Sequence, residues 1–298
     1  MTTSNSFSRM PSNKPTVLVT GASGFIGCHV VRQLSAKHRV TALDLHPPAT
    51  PHPAGVDEIT CDLRDGEFPS MRFDAIVHLA ALGGVRPSIE RPLDYLETNL
   101  GGTLRLLEHA RQHCIPRFIF ASSSSVYGPT DGKPSAEDDP LSPCSPYALT
   151  KQQGEQWGRL YAQLHGLDFI ALRLFAVWGE GQRPDLALES FRRKILAGET
   201  ITIHGDGSQR RDLTHVSDVA RAVETAIYWD GRGFEAFNIG TGTNHSVNDM
   251  LHAAEQWTGL KAKVAYGPEH PADVPSTLAD VRKAKDLLDR EPRTRFPK

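Results

Sequence analysis

TVLVTGASGFIG, residues 16–27, decides the fold of this chain because it joins a buried strand to a helix. The apolar run predicts the strand, and three glycines, Gly21, Gly24 and Gly27, stand at the junction. Gly21 suits a sharp turn with positive φ, which glycine adopts without penalty. Gly24 lets a pyrophosphate approach the backbone at the helix N-terminus, and Gly27 lets the helix pack on the sheet. The stretch predicts a dinucleotide-binding turn; glycine packing at the corner is the alternative.

An acidic residue at the end of the next predicted strand strengthens this interpretation. Asp44 lies 23 residues after Gly21, where a carboxylate accepts hydrogen bonds from both hydroxyls of an adenosine ribose. Its charge would repel a 2′-phosphate, so the pattern favours NAD over NADP. Asp62 follows the third strand and is a candidate for contact with the adenine. A solvated carboxylate at a strand end is the alternative interpretation of both residues.

Short β-branched runs alternate with amphipathic stretches through the first half of the chain. Nearly all-apolar strands separated by helices predict a parallel sheet covered on both faces, which is a doubly wound α/β fold of the Rossmann type. The predicted strands are Thr16–Thr20, 39–43, 58–62, 75–81, 117–122 and 169–174, and the predicted helices are Phe25–Ser35, 94–113 and 147–164.

The second half of the chain is more broken and predicts a smaller α/β domain interleaved with the first. Helical patterns lie near 185–196, 219–228, 247–258 and 281–288, and Ser246 with Asp249 predicts a capping box. We expect a disordered tail over 1–14 and an NAD-binding domain over 15–174, to which 217–243 return. The substrate-binding domain is then expected over 175–216 and 244–298.

Composition excludes several classes of function. The formal net charge of −2 over 298 residues gives no basic field for nucleic acid or an anionic membrane. No run of about 18 apolar residues occurs, so no membrane span is expected. The polar, Ser-rich start lacks the apolar core of a signal peptide. The cysteines show no metal-ligand spacing, so we expect no metal and the reduced thiols of a cytoplasmic protein: Cys28, Cys61, Cys114 and Cys144.

A tyrosine and a lysine four residues apart form the candidate catalytic pair. Tyr147 and Lys151 fall on one face of the predicted helix. An ammonium favours a phenolate, so we expect Lys151 to lower the pKa of Tyr147 from its ordinary value of about 10. The lysine also reaches the hydroxyls of a nicotinamide ribose. Such a pair is common in helices, but here it follows a serine-rich loop, ASSSSVYG at 121–128, and this context indicates a catalytic site.

With these motifs in order, the chain resembles the extended short-chain dehydrogenase/reductases, in particular the nucleotide-sugar epimerases and dehydratases. The resemblance covers residues 16 to about 295 and rests on TGASGFIG, Asp44, HLAA, NLGGT, SSSSVYG, the Tyr147/Lys151 pair, RRDLTHVSDVARA, NIGTG and DVPSTLAD. It implies NAD as the cofactor. The residues that it implies for NAD binding are Gly21, Ser23, Gly24, Phe25, Ile26, Gly27, Asp44, Asp62, Leu63, Leu79, Ala80, Ala81, Asn99, Tyr147 and Lys151.

The resemblance also implies the type of reaction. Ser123 corresponds to the residue that bonds the substrate hydroxyl, and it joins Tyr147 and Lys151 as a catalytic residue. Dehydratases and decarboxylases typically carry an acid at one of the next two positions, which are Ser124 and Ser125 here. Elimination would lack its acid/base partner, so we expect a 4-epimerase that works through a 4-keto sugar. Dehydration, decarboxylation or net oxidation of a nucleotide sugar is the alternative. A non-catalytic NAD-binding regulator is the alternative from another class.

The loop GEGQRPDLAL at 179–188 resembles that of UDP-glucuronate 4-epimerases and implies a UDP-sugar substrate. UDP-glucuronate is favoured, with UDP-glucose or UDP-N-acetylglucosamine next, because the planar fork of Arg183 suits a carboxylate. Ala176, Leu213 and His270 depart from the family pattern. The expected substrate-binding residues are Arg86, Ser123, Ser124, Ser125, Tyr147, Arg183, Arg211 and Asp273.

Relatives also form a homodimer through the two helices expected at 94–113 and after Tyr147. The resemblance therefore implies a homodimer, although core packing explains the same apolar spacing equally well.

Overall fold

A seven-stranded parallel sheet lies at the centre of the protein, in a computed structural model that describes residues 14–68, 70–269 and 274–297. The first six strands of the chain are β1 (Thr16–Thr20), β2 (Arg39–Asp44), β3 (Asp57–Thr60), β4 (Ala75–His78), β5 (Arg117–Ser123) and β6 (Asp168–Leu174). The other strands are β7 (Val177–Trp178), β8 (Thr200–His204), β9 (Arg210–Asp212), β10 (Thr214–His215), β11 (Phe234–Ile239), β12 (Asn244–Ser246) and β13 (Lys263–Gly267).

Helices connect these strands and cover the sheet. They are α1 (Phe25–Ser35), α2 (Val85–Glu90), α3 (Pro92–Tyr95), α4 (Gly102–Gln112), α5 (Pro146–His165), α6 (Ala187–Ala197), α7 (Val216–Tyr228), α8 (Val247–Thr258) and α9 (Arg282–Leu288). A π-helical segment spans Leu96–Gly101, and a 3₁₀ turn spans Ser124–Tyr127. The capping box predicted at the start of α8 is present.

The order of the central strands is β11-β6-β5-β4-β1-β2-β3, and every pairing is parallel. The chain winds from β1 outwards to β3 and then returns to β4 on the other side of β1. This reversal opens a crevice at the carboxyl ends of β1 and β4, where ligands bind in doubly wound folds. The predicted fold class is therefore confirmed, and the topology places the functional site.

Two apolar clusters cover the two faces of the sheet. One face packs against α1 and α7 through residues such as Val31 and Val223. The other packs against α4 and α5. Two glycines let α5 approach the sheet closely, because a Cβ on Gly154 or Gly158 would collide with the ring of Phe120 or Phe169. The close approach fixes α5, which carries the predicted catalytic pair, against β5 and β6.

A third apolar cluster lies in the second half of the chain. It joins α6, α8, β8 and β13 through Phe191, Ile201 and Met250. The parallel pair of β8 and β13 stands apart from the central sheet, whereas β11 belongs to that sheet beside β6. The division of the chain into two interleaved domains stays a prediction, as does the disordered tail, because residues 1–13 lie outside the described part.

Two predicted elements differ from the structure. The helix predicted over 94–113 is interrupted by the π-helical segment, which turns Asn99 inwards; its backbone oxygen accepts a hydrogen bond from Thr103 Oγ1 at 2.5 Å. The strand predicted over 75–81 ends at His78, because β1 stops pairing at Thr20 and the chain turns away at Gly21. Among the described residues, no helix combines the length and apolarity needed to cross a bilayer.

Candidate active site

The glycine turn has the geometry that the sequence predicts. Gly21 has φ +68°, and a Cβ there would lie 2.6 Å from the backbone nitrogen of Ala80. A Cβ on Gly27 would collide with the backbone of Gly21 and Ala22, so a side chain at this position would separate α1 from the turn. Gly24 is the N-cap of α1, and no side chain caps the helix. The first N–H groups of α1 therefore remain available for phosphate oxygens, which fits a dinucleotide.

Two acidic residues lie beside this turn in different environments. Asp44 accepts hydrogen bonds from the backbone nitrogen of Ser23 at 2.9 Å and from that of His46 at 3.3 Å. Asp44 therefore stands at the end of β2 and orders the turn that would hold the ribose. Asp62 is paired with the guanidinium of Arg64 at 2.6 Å, and these hydrogen bonds hold the pKa of Asp62 below its usual range.

The next predicted contacts form the wall of the crevice behind the turn. Leu79 and Ala81 line the cavity, while Leu63 is buried against Gly102. Asn99 is buried, and its amide exchanges hydrogen bonds with the backbone of Leu82 at 2.7 and 3.0 Å. Asn99 thus fixes the loop after β4 from behind.

A cavity of about 620 Å³ extends from the glycine turn across the carboxyl ends of the sheet. Most predicted site residues line it, and Phe25 and Ile26 border it beside the turn. None of the described lining residues is Asp or Glu, whereas Lys151, Arg183 and Arg211 are cationic. The cavity is therefore electropositive in its lining and suits an anionic ligand. The predicted residues that line it are Gly21, Gly24, Phe25, Ile26, Gly27, Leu79, Ala81, Ser123, Ser124, Ser125, Tyr147, Lys151, Arg183 and Arg211.

Tyr147 lies in the first turn of α5, directly over the serine-rich loop. Ser145 caps this helix by accepting a hydrogen bond from Ala148 N at 3.1 Å, which fixes the position of the tyrosine. The hydroxyl of Ser123 lies beside the phenol and acts to lower its pKa. It also accepts hydrogen bonds from Ser125, from the backbone nitrogen at 3.2 Å and from Oγ at 2.9 Å. The structure therefore joins the predicted serine and tyrosine.

Lys151 is buried one turn further along α5. Its Nζ donates to the backbone oxygen of Ala121 at 2.7 Å and lies 6.0 Å from the centre of the Tyr147 ring. Burial lowers the pKa of Lys151 to about 7, and the charge of Glu155 acts in the opposite direction. The lysine is therefore poised to be either charged or neutral near neutral pH.

The expectation that Lys151 lowers the pKa of Tyr147 is wrong for the protein without its cofactor. The pKa of Tyr147 is raised, because desolvation of the phenol outweighs the opposing hydrogen bond from Ser123 and the charge of Arg183. Lys151 instead directs its amine at a backbone oxygen. The groups that favour the phenolate are Ser123 and Arg183.

The predicted substrate residues occupy several places. Arg183 makes a bidentate pair with Asp185, with nitrogen–oxygen distances of 3.0 and 2.9 Å. Arg211 Nη1 donates to the backbone oxygen of Val274 at 2.8 Å. Arg86 is exposed on α2 and is not among the cavity-lining residues. Asp273 lies outside the described residues.

The family departures can be placed as well. Ala176 and Leu213 both line the cavity, so both departures present an apolar side chain there. His270 lies outside the described residues.

Several site residues were not predicted from the sequence. Trp178 and Gln182 line the cavity from β7 and the loop after it, and Met250 lines it from α8, which no local pattern connects to them. Tyr95 donates to the backbone oxygen of Gly83 at 2.9 Å and packs edge-on against the Tyr147 ring at 6.3 Å. A buried carboxylate, Glu155, follows Lys151 by four residues, and that helical spacing could have revealed it.

Comparison with known proteins gives a consistent result. The NAD-dependent epimerase/dehydratase family matches residues 17–240. A UDP-glucuronate 4-epimerase of Thermodesulfobacterium geofontis is 40% identical over 227 residues, covering 76% of this chain and 69% of that protein. An uncharacterized UDP-glucose epimerase, YtcB of Bacillus subtilis, is 36% identical over 295 residues and 93% of each chain. The structure of MoeE5 with UDP-glucuronic acid and NAD is 42% identical, with a TM-score of 0.88 over 94% of each chain.

Proposed function

Because the chain belongs to the NAD-dependent epimerase/dehydratase family, we propose that it inverts C4 of a UDP-sugar, with UDP-glucuronate favoured. One observation carries the proposal. Tyr147 and Ser123 lie side by side in a cavity that begins at the glycine turn and whose described lining includes Lys151, Arg183 and Arg211 but no carboxylate. Such a cavity suits the two phosphates of a sugar nucleotide together with a uronate.

The residues divide the work of proton transfer and orientation. NAD, when bound, supplies a reversible hydride acceptor, so C4 of the sugar can be oxidised to a ketone and reduced again from the opposite face. Tyr147 takes the proton of the 4-hydroxyl and later returns it. Ser123 hydrogen-bonds the sugar oxygen and, with Arg183, favours the phenolate, and Lys151 would hold the cofactor ribose.

The absence of an acid beside Ser123 supports epimerisation over dehydration. Elimination needs a group that removes one proton and protonates the departing hydroxyl. Ser124 and Ser125 lie in the 3₁₀ turn after β5 and line the cavity, but neither is an acid. The cavity therefore offers Tyr147 as its proton carrier and no carboxylate partner among the described lining residues.

Arg183 supports a uronate as the preferred sugar. Its guanidinium already holds one carboxylate in a bidentate pair, that of Asp185, so the geometry of the side chain is suited to a planar carboxylate. A Cβ on Gly83 would lie 2.5 Å from Arg183 Nη1, which places this guanidinium against the loop after β4. One relative supports the choice: the T. geofontis protein is named for UDP-glucuronate. MoeE5 has been solved with UDP-glucuronic acid and with UDP-glucose, so it supports a UDP-sugar without favouring either sugar.

Incubation with three UDP-sugars tests the proposal. We expect UDP-glucuronate to give its C4 epimer, seen as a new anomeric signal by proton NMR, faster than UDP-glucose or UDP-N-acetylglucosamine gives its own. No net NADH should accumulate and no water should be lost. If no epimer forms from any of the three while NAD is bound, the protein is not a UDP-sugar 4-epimerase, and the regulator alternative gains support. Loss of water or carbon dioxide would point to the dehydratase or decarboxylase alternative.

A homodimer and a cytoplasmic location stay part of the proposal. Apolar side chains on α3, the adjoining π-helical segment and α5 are exposed, as a helical contact between two copies requires. Light scattering after gel filtration should give twice the mass of the chain; a mass of one chain would contradict the dimer. These side chains are Leu93, Leu96, Leu149, Trp157, Leu160 and Leu164.

A further inference from the structure

A buried carboxylate lies behind the catalytic pair and takes no part in the proposed chemistry. Glu155 is on α5, one turn after Lys151, and is 3% exposed. Arg173 Nε and Nη2 donate to its two oxygens at 3.0 and 2.8 Å, and Ser122 Oγ donates to Oε1 at 2.5 Å. A buried carboxylate with every oxygen engaged holds its neighbours in one arrangement.

Three consecutive residues at the end of β5 each contact a side chain of α5. The oxygen of Ala121 accepts from Lys151, the hydroxyl of Ser122 donates to Glu155, and the hydroxyl of Ser123 meets Tyr147. Successive side chains of a strand point to opposite faces, so Ser122 faces Glu155 while Ser123 faces the cavity. A change at Glu155 therefore reaches the catalytic serine through one peptide unit.

Glu155 also sets the electrostatic surroundings of Lys151. The other groups that face the amine are the Phe120 ring on β5, Tyr147 on α5 and His78 on β4. His78 is neutral, because burial and the charge of Lys151 lower its pKa to about 3. Burial lowers the pKa of Lys151, and the negative charge of Glu155 is what raises it again.

Arg173 does not cancel this role, because Glu155 is the charged group that acts on the pKa of Lys151, and Arg173 has other partners as well. Its Nη1 donates to the hydroxyl of Tyr127 at 2.9 Å and to the backbone oxygen of Glu137 at 2.9 Å. The guanidinium thus ties Glu155 to Tyr127 and to the backbone of Glu137.

We propose that Glu155 is a positioning residue: it holds the end of β5 through Ser122 and supplies the negative charge that favours the ammonium form of the buried Lys151 amine. The role in catalysis rests on the proposed function, whereas the effect on the charge of Lys151 does not. An ammonium is a stronger hydrogen-bond donor than a neutral amine, so Glu155 extends the alkaline range in which Lys151 can hold the hydroxyls of a cofactor ribose.

The charge of Lys151 can be followed directly. In nucleotide-free protein with ¹⁵N-labelled lysine side chains, the Lys151 Nζ signal, assigned by its loss in Lys151→Met, is titrated by NMR. We expect Glu155→Gln to lower the midpoint by about one pH unit. This variant leaves Arg173 buried and unpaired, so Glu155→Gln/Arg173→Met, which removes both charges, is measured beside it and should show the same direction.

Asp168→Asn provides a matched control, since it neutralises a buried carboxylate paired with Arg117 at the opposite end of the same strands. Its Lys151 midpoint should equal that of the unchanged protein. Equal midpoints in the unchanged protein and in both Glu155 variants would overturn the proposal, and so would an equal shift in Asp168→Asn.

Steady-state kinetics then tests whether Glu155 positions the catalytic residues. With the UDP-sugar that reacts, Glu155→Gln should lower kcat about tenfold, change KM less than about twofold and move the alkaline limb of the kcat profile to lower pH. Ser122→Ala should lower kcat without moving that limb; an unchanged kcat in both variants overturns the positioning role. If no UDP-sugar reacts at all, the proposed function fails, while the Lys151 midpoint still decides whether Glu155 sets its charge.

Discussion

Two buried arginine–carboxylate pairs stand at opposite ends of β5 and β6. At the amino end, Arg117 begins β5 and contacts Asp168, which begins β6, at 3.3 Å. At the carboxyl end, Arg173 near the end of β6 contacts Glu155 of α5 at 2.8 Å. The chemistry is the same, but the first pair ties strands to the loop after α7, and the second supports the cavity.

The difference follows from the topology of the sheet. Asp168 also accepts from Arg232 at 2.8 Å and from Gly233 N at 3.0 Å, so its bonds close the turn before β11. Ligands in doubly wound folds bind at the carboxyl ends of the strands. We therefore expect the same kind of ion pair to contribute to stability at one end of the sheet and, as proposed for Glu155, to catalysis at the other.

The largest expected effect is at the carboxyl end. Tyr147→Phe removes the proton carrier and should lower kcat by about 10³-fold, within the range for general acid–base groups. The NAD content of the purified protein should stay the same, measured by absorbance after denaturation. Turnover equal to that of the unchanged protein would assign the proton transfer to another group.

The second effect belongs to the amino end. Asp168→Asn leaves Arg117 partly unpaired in a buried place and should lower the free energy of unfolding by about 3 kcal/mol. Urea denaturation measures this loss, and kcat at 25 °C should remain unchanged. If Asp168→Asn lowered kcat without lowering the free energy of unfolding, the proposed difference between the two ends of the strands would be wrong.

A smaller effect is expected at the wall of the cavity. Arg183→Lys keeps the charge but removes the bidentate fork, so kcat/KM for UDP-glucuronate should fall about tenfold while that for UDP-glucose falls less than about threefold. Arg192→Lys is the control, since Arg192 pairs with Glu189 on α6 and does not line this cavity. Equal losses for both sugars would show that Arg183 does not read the carboxylate.

A dependence of stability on pH is also expected at the carboxyl end, because Lys151 is buried there. Burial lowers the pKa of Lys151 to about 7, while an unfolded lysine titrates near 10.4. The unfolded chain then binds more protons between these values, so the free energy of unfolding contributed by Lys151 rises from about pH 7 to about pH 10. In nucleotide-free protein, Lys151→Met should lack this rise. Parallel stability profiles for the two proteins would mean that the lysine titrates normally.

The fold could be predicted because its signals are local. The apolar strands, the glycine turn and the capping box of α8 each follow from a few neighbouring residues. The interruption at Leu96–Gly101 could not be predicted, since it depends on Asn99 meeting the backbone of Leu82. Local periodicity records no such contact.

Part of the site could likewise be predicted from local sequence, and part could not. Tyr147, Lys151 and the serine loop are recognisable from spacing. The raised pKa of Tyr147 is not, because it depends on how completely the folded chain excludes water from the phenol. Trp178 and Met250 reach the cavity from distant segments, and only tertiary packing brings them there.

The missing side chain at Gly83 has a practical consequence. An added methyl would meet the tip of Arg183, 2.5 Å away, and not the main chain. The long arginine can swing aside, so Gly83→Ala would redirect the guanidinium without deleting it and with little harm to folding. Substitutions at position 83 therefore offer a way to change the preference for one sugar over another without replacing a catalytic residue.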